Sequence, residues 1–291
     1  MKLGLLSQLL FVSTNNNEIL NKSIIELRAK HDSLQTRRNT LSNSLITLVT
    51  CFNPERCIGI SSVEAEQSYN KYAKTYDELD GGSIASTLGI EDARNNIIKQ
   101  AKGDVLEIAV GTGLNLNKYV FASSPSATDG VKSLTLIDIS DGMLTEAREK
   151  IAKMDSIPSH VTIKFIKADA TTSELTNMFG ENSFDTVLDT FSLCVMGNVG
   201  ARKCIEQMRN VVKNETNGGE ILLIENSRSS NSLLGLYDQD VTANAAATIG
   251  GKGCVSNQDV KSFIEQTDLL KIQEEKDFAT GLFRCYICVK Q

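Results

Sequence analysis

VLEIAVGTGLN, residues 105–115, is the stretch from which the fold of this chain can be read. Its first half is apolar apart from Glu107 and favours a buried strand, and Gly111 and Gly113 follow at once. These glycines allow a sharp turn and let the backbone approach a ligand where a Cβ atom would clash. Such a strand and turn are typical of a nucleotide-binding α/β sheet, but an ordinary strand-to-helix loop has the same pattern.

Strand and helix signals alternate along the chain after residue 62. The predicted strands are 104–109, 133–139, 161–168, 184–189, 220–225, 269–274 and 281–289, and the predicted helices are 64–79, 89–101, 140–152, 201–212 and 257–267. This alternation predicts βαβ units, and the short connection between the last two strands permits an antiparallel hairpin. The predicted fold class is α/β, a Rossmann-like, doubly wound, mostly parallel seven-stranded sheet with an antiparallel edge hairpin.

Residues 1–62 differ in composition from the rest of the chain. They contain no acidic residue before Glu18 and are rich in Ser, Asn and Thr. Their apolar patches are shorter than the ~20 residues that a membrane-spanning helix needs. We expect an N-terminal extension, either an organelle-targeting peptide or a retained helical segment, with a secretory signal as a third interpretation. The predicted domain is 63–291, and the predicted location is an organelle, a mitochondrion rather than a plastid, with the cytoplasm as the alternative.

The charge distribution bears on the class of partner. The net charge is −6, and residues 1–50 carry six Lys or Arg against three Asp or Glu, that is +3, which leaves −9 for 51–291. Nucleic-acid binding draws most of its affinity from Lys and Arg at phosphates. The acidic body of the chain therefore disfavours a nucleic-acid partner.

The seven cysteines are odd in number, scattered and mostly set in apolar runs. This pattern predicts free, buried thiols in a reducing compartment. Cys285 and Cys288 form a CxxC motif, but there is no second pair and there are only two histidines, so we predict no metal site. On a strand, residues three apart face opposite sides, which favours two core cysteines.

Three successive predicted strands end in an acidic residue: Asp138, Asp169 and Asp189. The carboxyl ends of parallel strands meet at one sheet edge, where open α/β sheets bind ligands. Asp138 follows Gly113 by 25 residues, and an acid at this point of a dinucleotide site accepts hydrogen bonds from both ribose hydroxyls. A solvated acid at a strand end is the alternative interpretation.

The order of these segments is similar to that of a known enzyme family. The matching pieces are 69–77, the turn 107–113, Asp138 with Met143, Asp169 with Ala170, and 218–225. Over residues 68–291 the chain resembles class I S-adenosylmethionine-dependent methyltransferases, specifically the ubiquinone/menaquinone-biosynthesis methyltransferase-like branch (methyltransferase type 11 domain). The resemblance implies S-adenosylmethionine as the cofactor.

The resemblance also implies a set of cofactor-binding residues. It places Ala109, Gly111 and Gly113 beside the methionine part, Asp138 at the ribose, Ile139 and Met143 at the adenine face, and Asp169 with Ala170 at the adenine edge; Tyr76, Glu107 and Asp189 complete the set. Residues 72–76 would close over the site, although the helical spacing of Tyr69, Tyr72 and Tyr76 also fits core packing. Two positions depart from the family pattern, since Ala109 replaces the usual first glycine and Asn115 a later one.

Methyl transfer is a displacement that depends mainly on holding the nucleophile in line. A base helps when the acceptor is an acidic carbon, a thiol or a phenol. The catalytic candidates are Asp189, Ser192 and Cys194, which follow the fourth strand, although the apolar run around Cys194 also favours packing. Thr190 and Glu225 are placed at the same edge, whereas His160 is expected at the opposite one.

The expected function is methyl transfer from S-adenosylmethionine to a small or lipophilic acceptor that is quinone-, phenol- or thiol-like. The alternative is a methyltransferase-like scaffold or assembly factor without turnover in an organelle, because Ala109 is expected to weaken cofactor binding. A nicotinamide-dependent oxidoreductase is disfavoured, since the turn lacks the later glycine of GxGxxG. The expected partner is a small-molecule or lipid substrate, peripheral contact with a membrane stays open, and the sequence indicates no oligomeric state.

Overall fold

The computed structural model describes residues 59–77, 88–228, 253–255 and 257–291. The predicted N-terminal extension lies outside the described residues except for its last four, 59–62. Most of the irregular stretch between the fifth predicted strand and the last predicted helix also lies outside them. Within the described ranges, no helix has both the length and the apolarity that crossing a bilayer requires.

A single seven-stranded sheet confirms the predicted fold class. Its strands are β1 (Gly103–Ile108), β2 (Val131–Asp138), β3 (Thr162–Lys167), β4 (Thr186–Thr190), β5 (Glu220–Asn226), β6 (Leu270–Phe278) and β7 (Phe283–Lys290). The order across the sheet is β3-β2-β1-β4-β5-β7-β6. Strands β1 to β5 pair in parallel, and β7 runs antiparallel to both β5 and β6. The predicted antiparallel hairpin therefore forms one edge.

Helices cover both faces of the sheet, as a doubly wound fold requires. They are α1 (Ser62–Tyr72), α2 (Ile90–Ile98), α3 (Asp141–Ile151), α4 (Glu174–Phe179), α5 (Leu193–Val211) and α6 (Val260–Glu265). Buried residues of α2 and α3 pack on one face and those of α4, α5 and α6 on the other. Successive residues of a strand alternate between the two faces of the sheet. On β5, Leu222 packs in the core under α2 and α3, and Leu223 packs in the core under α4, α5 and α6.

Two helical segments were not predicted at their observed positions. Helix α4 is a single short turn region that the sequence pattern did not indicate. Helix α5 begins at Leu193 instead of 201 and is interrupted at Gly197, whose φ is +64°. The residues before Gly197 form an apolar run that is also typical of a buried strand, so the sequence pattern did not predict that the helix begins at Leu193.

The prediction of free thiols is wrong for two cysteines, because Cys194 and Cys254 form a disulfide. They are 60 residues apart in the chain, so no local pattern signals the pairing. Cys204, Cys285 and Cys288 are free. Cys285 packs against one core and Cys288 lies in the other, which confirms that the two residues of the CxxC motif face opposite sides.

Candidate functional site

A cavity of about 300 Å³ lies at the carboxyl edge of the sheet, within the usual range for small-molecule sites. The last residues of β1, β2 and β4 contribute to its wall, and α1 and the first turns of α5 flank it. Eight of the eleven predicted cofactor-binding residues line it: Tyr76, Ala109, Gly111, Asp138, Ile139, Met143, Asp169 and Ala170. The structure thus brings most of the predicted set together.

The glycine turn after β1 forms the floor of the cavity. Ala109, Gly111 and Gly113 all have positive φ angles, of +48°, +57° and +82°. A left-handed conformation costs a residue with a Cβ atom roughly 1–2 kcal/mol, which is the physical reason why glycine is usual at position 109. A Cβ atom on Gly111 would have Ala109 O as its nearest neighbour, at the ordinary contact distance of 3.9 Å, so the protein does not fill the space beside this glycine and leaves room for a ligand.

Gly113 does not line the cavity, unlike the other two residues of the turn. A Cβ atom there would lie 2.9 Å from Leu116 Cγ and 3.5 Å from Ala147 Cα. The absence of a side chain therefore lets the turn pack closely against the protein core.

Asp138 lies at the end of β2 and is buried, with 7% of its surface exposed. Its carboxylate accepts hydrogen bonds from the backbone N–H groups of Gly111 at 2.9 Å and Ser140 at 2.8 Å. Burial raises its pKa to about 6, against the opposite effect of these hydrogen bonds. The carboxylate stays largely ionised at neutral pH and has lone pairs left for ligand hydroxyls.

Helix α1 docks over the start of α3 through polar contacts, since it has no fully buried residue. Asn70 Oδ1 accepts hydrogen bonds from Gly142 N and Ser140 Oγ, both at 2.8 Å. Lys167 pairs with Glu66 at 2.6 Å and with Asp141 at 2.9 Å. These contacts hold α1 beside the cavity.

The tyrosines of α1 and the following turn form an aromatic cluster. Tyr69 lies 6.2 Å from Tyr72 and 6.1 Å from Tyr76, measured between ring centroids. Tyr69 and Tyr76 line the cavity and Tyr72 does not. Asp77, the next residue, pairs with Lys150 at 2.6 Å and accepts a hydrogen bond from the Thr112 hydroxyl, which ties this segment to the glycine turn.

Asp169 and Ala170 line the cavity from the loop that follows β3. Asp169 Oδ1 accepts hydrogen bonds from Thr171 N at 2.8 Å and Thr171 Oγ1 at 2.6 Å. Its backbone N–H donates to Glu174 at 2.8 Å. The loop that follows β3 is therefore held by its own polar groups.

Glu107, a predicted cofactor-binding residue, lies behind the glycine turn and not in the cavity wall. It accepts hydrogen bonds from Tyr119 OH at 2.7 Å and Asn115 Nδ2 at 2.8 Å. Asn115 also donates to Thr190 Oγ1 at 3.0 Å and accepts from Arg94 at 2.9 Å. Burial raises the pKa of Glu107 to about 7. Asn115, which stands where the family usually has a glycine, therefore links β1 to β4 through buried hydrogen bonds to Glu107 and Thr190.

The three catalytic candidates have different positions. Ser192 lines the cavity, and its Oγ donates to Asp189 at 2.8 Å while its N–H donates to Glu225 at 3.1 Å. Asp189 is fully buried beneath Ser192 and so does not line the cavity, although it was predicted to bind the cofactor. Cys194 does not line the cavity and is held in the disulfide.

Two groups of lining residues were missed by sequence reasoning. Ile60, Ser61, Ser62 and Ala65 belong to the chain around the start of α1. Met196, Val199, Gly200 and Lys203 come from α5. Val199, Gly200 and Lys203 follow the interruption at Gly197 and are spaced i, i+1 and i+4, so a helix predicted from 198 onward would have placed them on one face.

Comparisons with known proteins agree with this geometry. Residues 105–215 match a family described as a methyltransferase domain. A mitochondrial methyltransferase of Saccharomyces cerevisiae, OMS1, is 25% identical over 211 residues, which make up 68% of this chain and 40% of that protein. The chain thus spans less than half the length of this relative.

Solved structures share the fold at low sequence identity. A SAM-dependent methyltransferase of Leishmania major has a TM-score of 0.53 at 16% identity, over 78% of this chain and 82% of that one. The [4+2]-cyclase SpnF has a TM-score of 0.55 at 13% identity, over 80% and 97%. The mitomycin 7-O-methyltransferase MmcR has a TM-score of 0.54 at 13% identity, over 85% and 67%.

The match over residues 105–215 and the shared fold agree with the predicted class I, S-adenosylmethionine-dependent methyltransferase domain, and the quinone-related branch stays a prediction. The described residues fit the cofactor. Asp138 offers a buried carboxylate for ribose hydroxyls, Gly111 leaves space beside the turn, and Ile139 with Met143 supplies an apolar surface for an aromatic base.

Proposed function

We propose that this chain transfers a methyl group from S-adenosylmethionine to a small or lipophilic acceptor whose nucleophile is quinone-, phenol- or thiol-like. The proposal rests on one observation: the part of the cavity wall that follows β4 in the chain is mostly apolar. Phe191, Val195, Met196 and Val199 line the cavity there, with Ser192 as a polar group among them. An apolar wall with few polar groups suits an apolar molecule that presents a single reactive atom.

Bound S-adenosylmethionine would supply an electrophilic methyl group on a sulfonium. Asp138 would hold the ribose end, and Ile139, Met143, Asp169 and Ala170 the base end. Since the displacement requires alignment, the main task of the chain is to fix both molecules and to exclude water. Helix α1, held by Asn70, covers one side of the cavity and supports that task.

The catalytic roles follow from the positions of the candidates. Ser192 is placed to contact the acceptor, and Asp189 to act through it. Cys194 has no role as a nucleophile while it is joined to Cys254. For the location we propose a mitochondrion, which the similarity to a mitochondrial methyltransferase supports.

The fold alone does not fix the reaction, since a cyclase shares it, so turnover has to be measured. The purified chain is incubated with methyl-labelled S-adenosylmethionine and a hydroquinone, a phenol or an alkyl thiol, and label transferred to the acceptor is counted. We expect transfer to at least one of the three. Cofactor binding without transfer to any acceptor would favour the scaffold alternative.

A matched pair of variants tests the acceptor wall. Met196→Gln places a polar group in the cavity, whereas Met178→Gln alters a methionine on α4 that is 45% exposed and lies outside the cavity wall. We expect the first variant to raise KM for the acceptor about 10-fold, as for the loss of one apolar contact, and the second to leave it unchanged. Equal KM values would contradict the assignment of this wall.

A further inference from the structure

Two carboxyl groups lie in contact beneath the cavity wall, Asp189 at the end of β4 and Glu225 at the end of β5. Both are 0% exposed, Ser192 donates a hydrogen bond to each of them, and each carboxyl group influences the pKa of the other. Two ionised carboxylates only accept hydrogen bonds, so a direct bond between these acids would require one proton. Two like charges in contact in a buried site also disfavour the doubly ionised state.

Ser192 connects this pair to the cavity. Its Oγ donates to Asp189 Oδ2 at 2.8 Å and its backbone N–H donates to Glu225 Oε1 at 3.1 Å. The other two oxygens, Asp189 Oδ1 and Glu225 Oε2, have no further partner within the described part of the chain. A proton shared between the two acids satisfies both of these atoms.

We infer that Asp189 and Glu225 hold one proton between them and that Ser192 links the pair to the cavity as the route by which the methyl acceptor loses its proton. The inference rests on the proposed function and narrows it. The acceptor would then be a molecule with an un-ionised S–H or O–H group, such as an alkyl thiol or a phenol. An acceptor that is already an anion would gain nothing from the route.

The acceptor heteroatom uses a lone pair to bond the methyl carbon, and the carbon–sulfur bond breaks with its electron pair going to the sulfonium sulfur. The proton of the acceptor passes to Ser192 Oγ, and the proton of Ser192 passes to Asp189 Oδ2. The acid pair, which began with one proton and one negative charge, ends with two protons and no charge.

Other charged or titratable groups surround the pair. Glu107 on β1 and Cys204 on α5 interact electrostatically with it, Arg94 on α2 faces Glu107, and Arg284 on β7 is in register with Glu225. Burial is the largest influence on both acids, and it raises the pKa of Asp189 to about 7 and that of Glu225 in the same direction.

The shared proton is tested by chemical denaturation of the whole chain at several pH values between about pH 5 and about pH 8. A folded state that retains a proton released by the unfolded state loses stability as pH rises, so the denaturation midpoint falls across this window. Asp189→Asn and Glu225→Gln remove one ionising group each, and we expect a smaller fall in both. Asp155→Asn, at an exposed acid, is the control. An unchanged fall in both variants overturns the shared proton.

The route through Ser192 is tested by methyl transfer to two probes, benzyl mercaptan, which is un-ionised at neutral pH, and thiophenol, which is largely ionised. Ser192→Ala is expected to slow methyl transfer to benzyl mercaptan about 100-fold and to slow transfer to thiophenol far less. Ser192→Thr keeps a hydroxyl and is expected to restore part of the lost rate. Equal losses on both probes overturn the route. No transfer to either probe by the unaltered chain counts against the proposed function for thiols, while denaturation still decides the shared proton.

Discussion

The substitution Gly113→Ala tests the packing of the turn after β1. Gly113 has a φ of +82°, so an alanine there is strained by roughly 1–2 kcal/mol, of which about 0.4–1 kcal/mol is recovered from the reduced freedom of the unfolded chain. The new Cβ atom would also lie 2.9 Å from Leu116 Cγ, in a residue that is 1% exposed. Overpacking of this kind costs about 1–3 kcal/mol. We therefore expect a loss of about 1–4.6 kcal/mol in the free energy of unfolding.

Gly218→Ala is the matched control, because Gly218 has a φ of +76° and nothing within 4 Å of an added Cβ atom. It carries the backbone strain without the overpacking, so its loss should be about 1.6 kcal/mol or less. Both losses are measured by denaturant titration monitored by circular dichroism. Equal losses in the two variants would refute the claim that the turn packs closely on Leu116.

Three other predictions follow from single features. Ala109→Gly removes the strain at a φ of +48° and should raise the free energy of unfolding by about 1 kcal/mol, measured by denaturant titration, whereas a loss would show that the methyl group packs usefully. Cys254→Ser opens a disulfide that spans 60 residues and should lower the free energy of unfolding by up to about 4 kcal/mol. In the unaltered chain, unfolded and labelled with maleimide, reduction should expose two additional labelling sites. No additional sites would contradict the pairing. Because burial raises the pKa of Asp138 from 3.8 to about 6, stability from this group is present at low pH and is lost as pH rises over that window, and Asp138→Asn should flatten this part of the pH profile of unfolding.

The parts of the fold that local sequence determines could be predicted. The strand at 104–109, the turn after it and the helix that Ser140 caps depend on apolar period, glycine and a capping hydroxyl within a few residues. In the structure Ser140 Oγ accepts from Met143 N at 3.1 Å. The edge hairpin followed from the short connection between its strands.

Local sequence did not predict which way the side chains point at the site. Glu107 and Asp189 belong to the predicted motifs, but the pleat turns both carboxyl groups into the interior, where Asn115 and Ser192 bind them. Such contacts join residues that lie far apart or depend on strand register. The disulfide of Cys194 is of the same kind, because the chain distance between the two thiols says nothing of their distance in space.

Titration of the purified chain with S-adenosylmethionine in a calorimeter tests the central claim most directly, with NADH as the competing cofactor and Asp138→Ala as the variant. Asp138 forms part of the cavity wall and accepts a hydrogen bond from the glycine turn at 2.9 Å. The account predicts binding of S-adenosylmethionine alone, on the order of micromolar or about −8 kcal/mol, and its loss in the variant. Binding of NADH in its place, or unchanged affinity in the variant, would contradict the account.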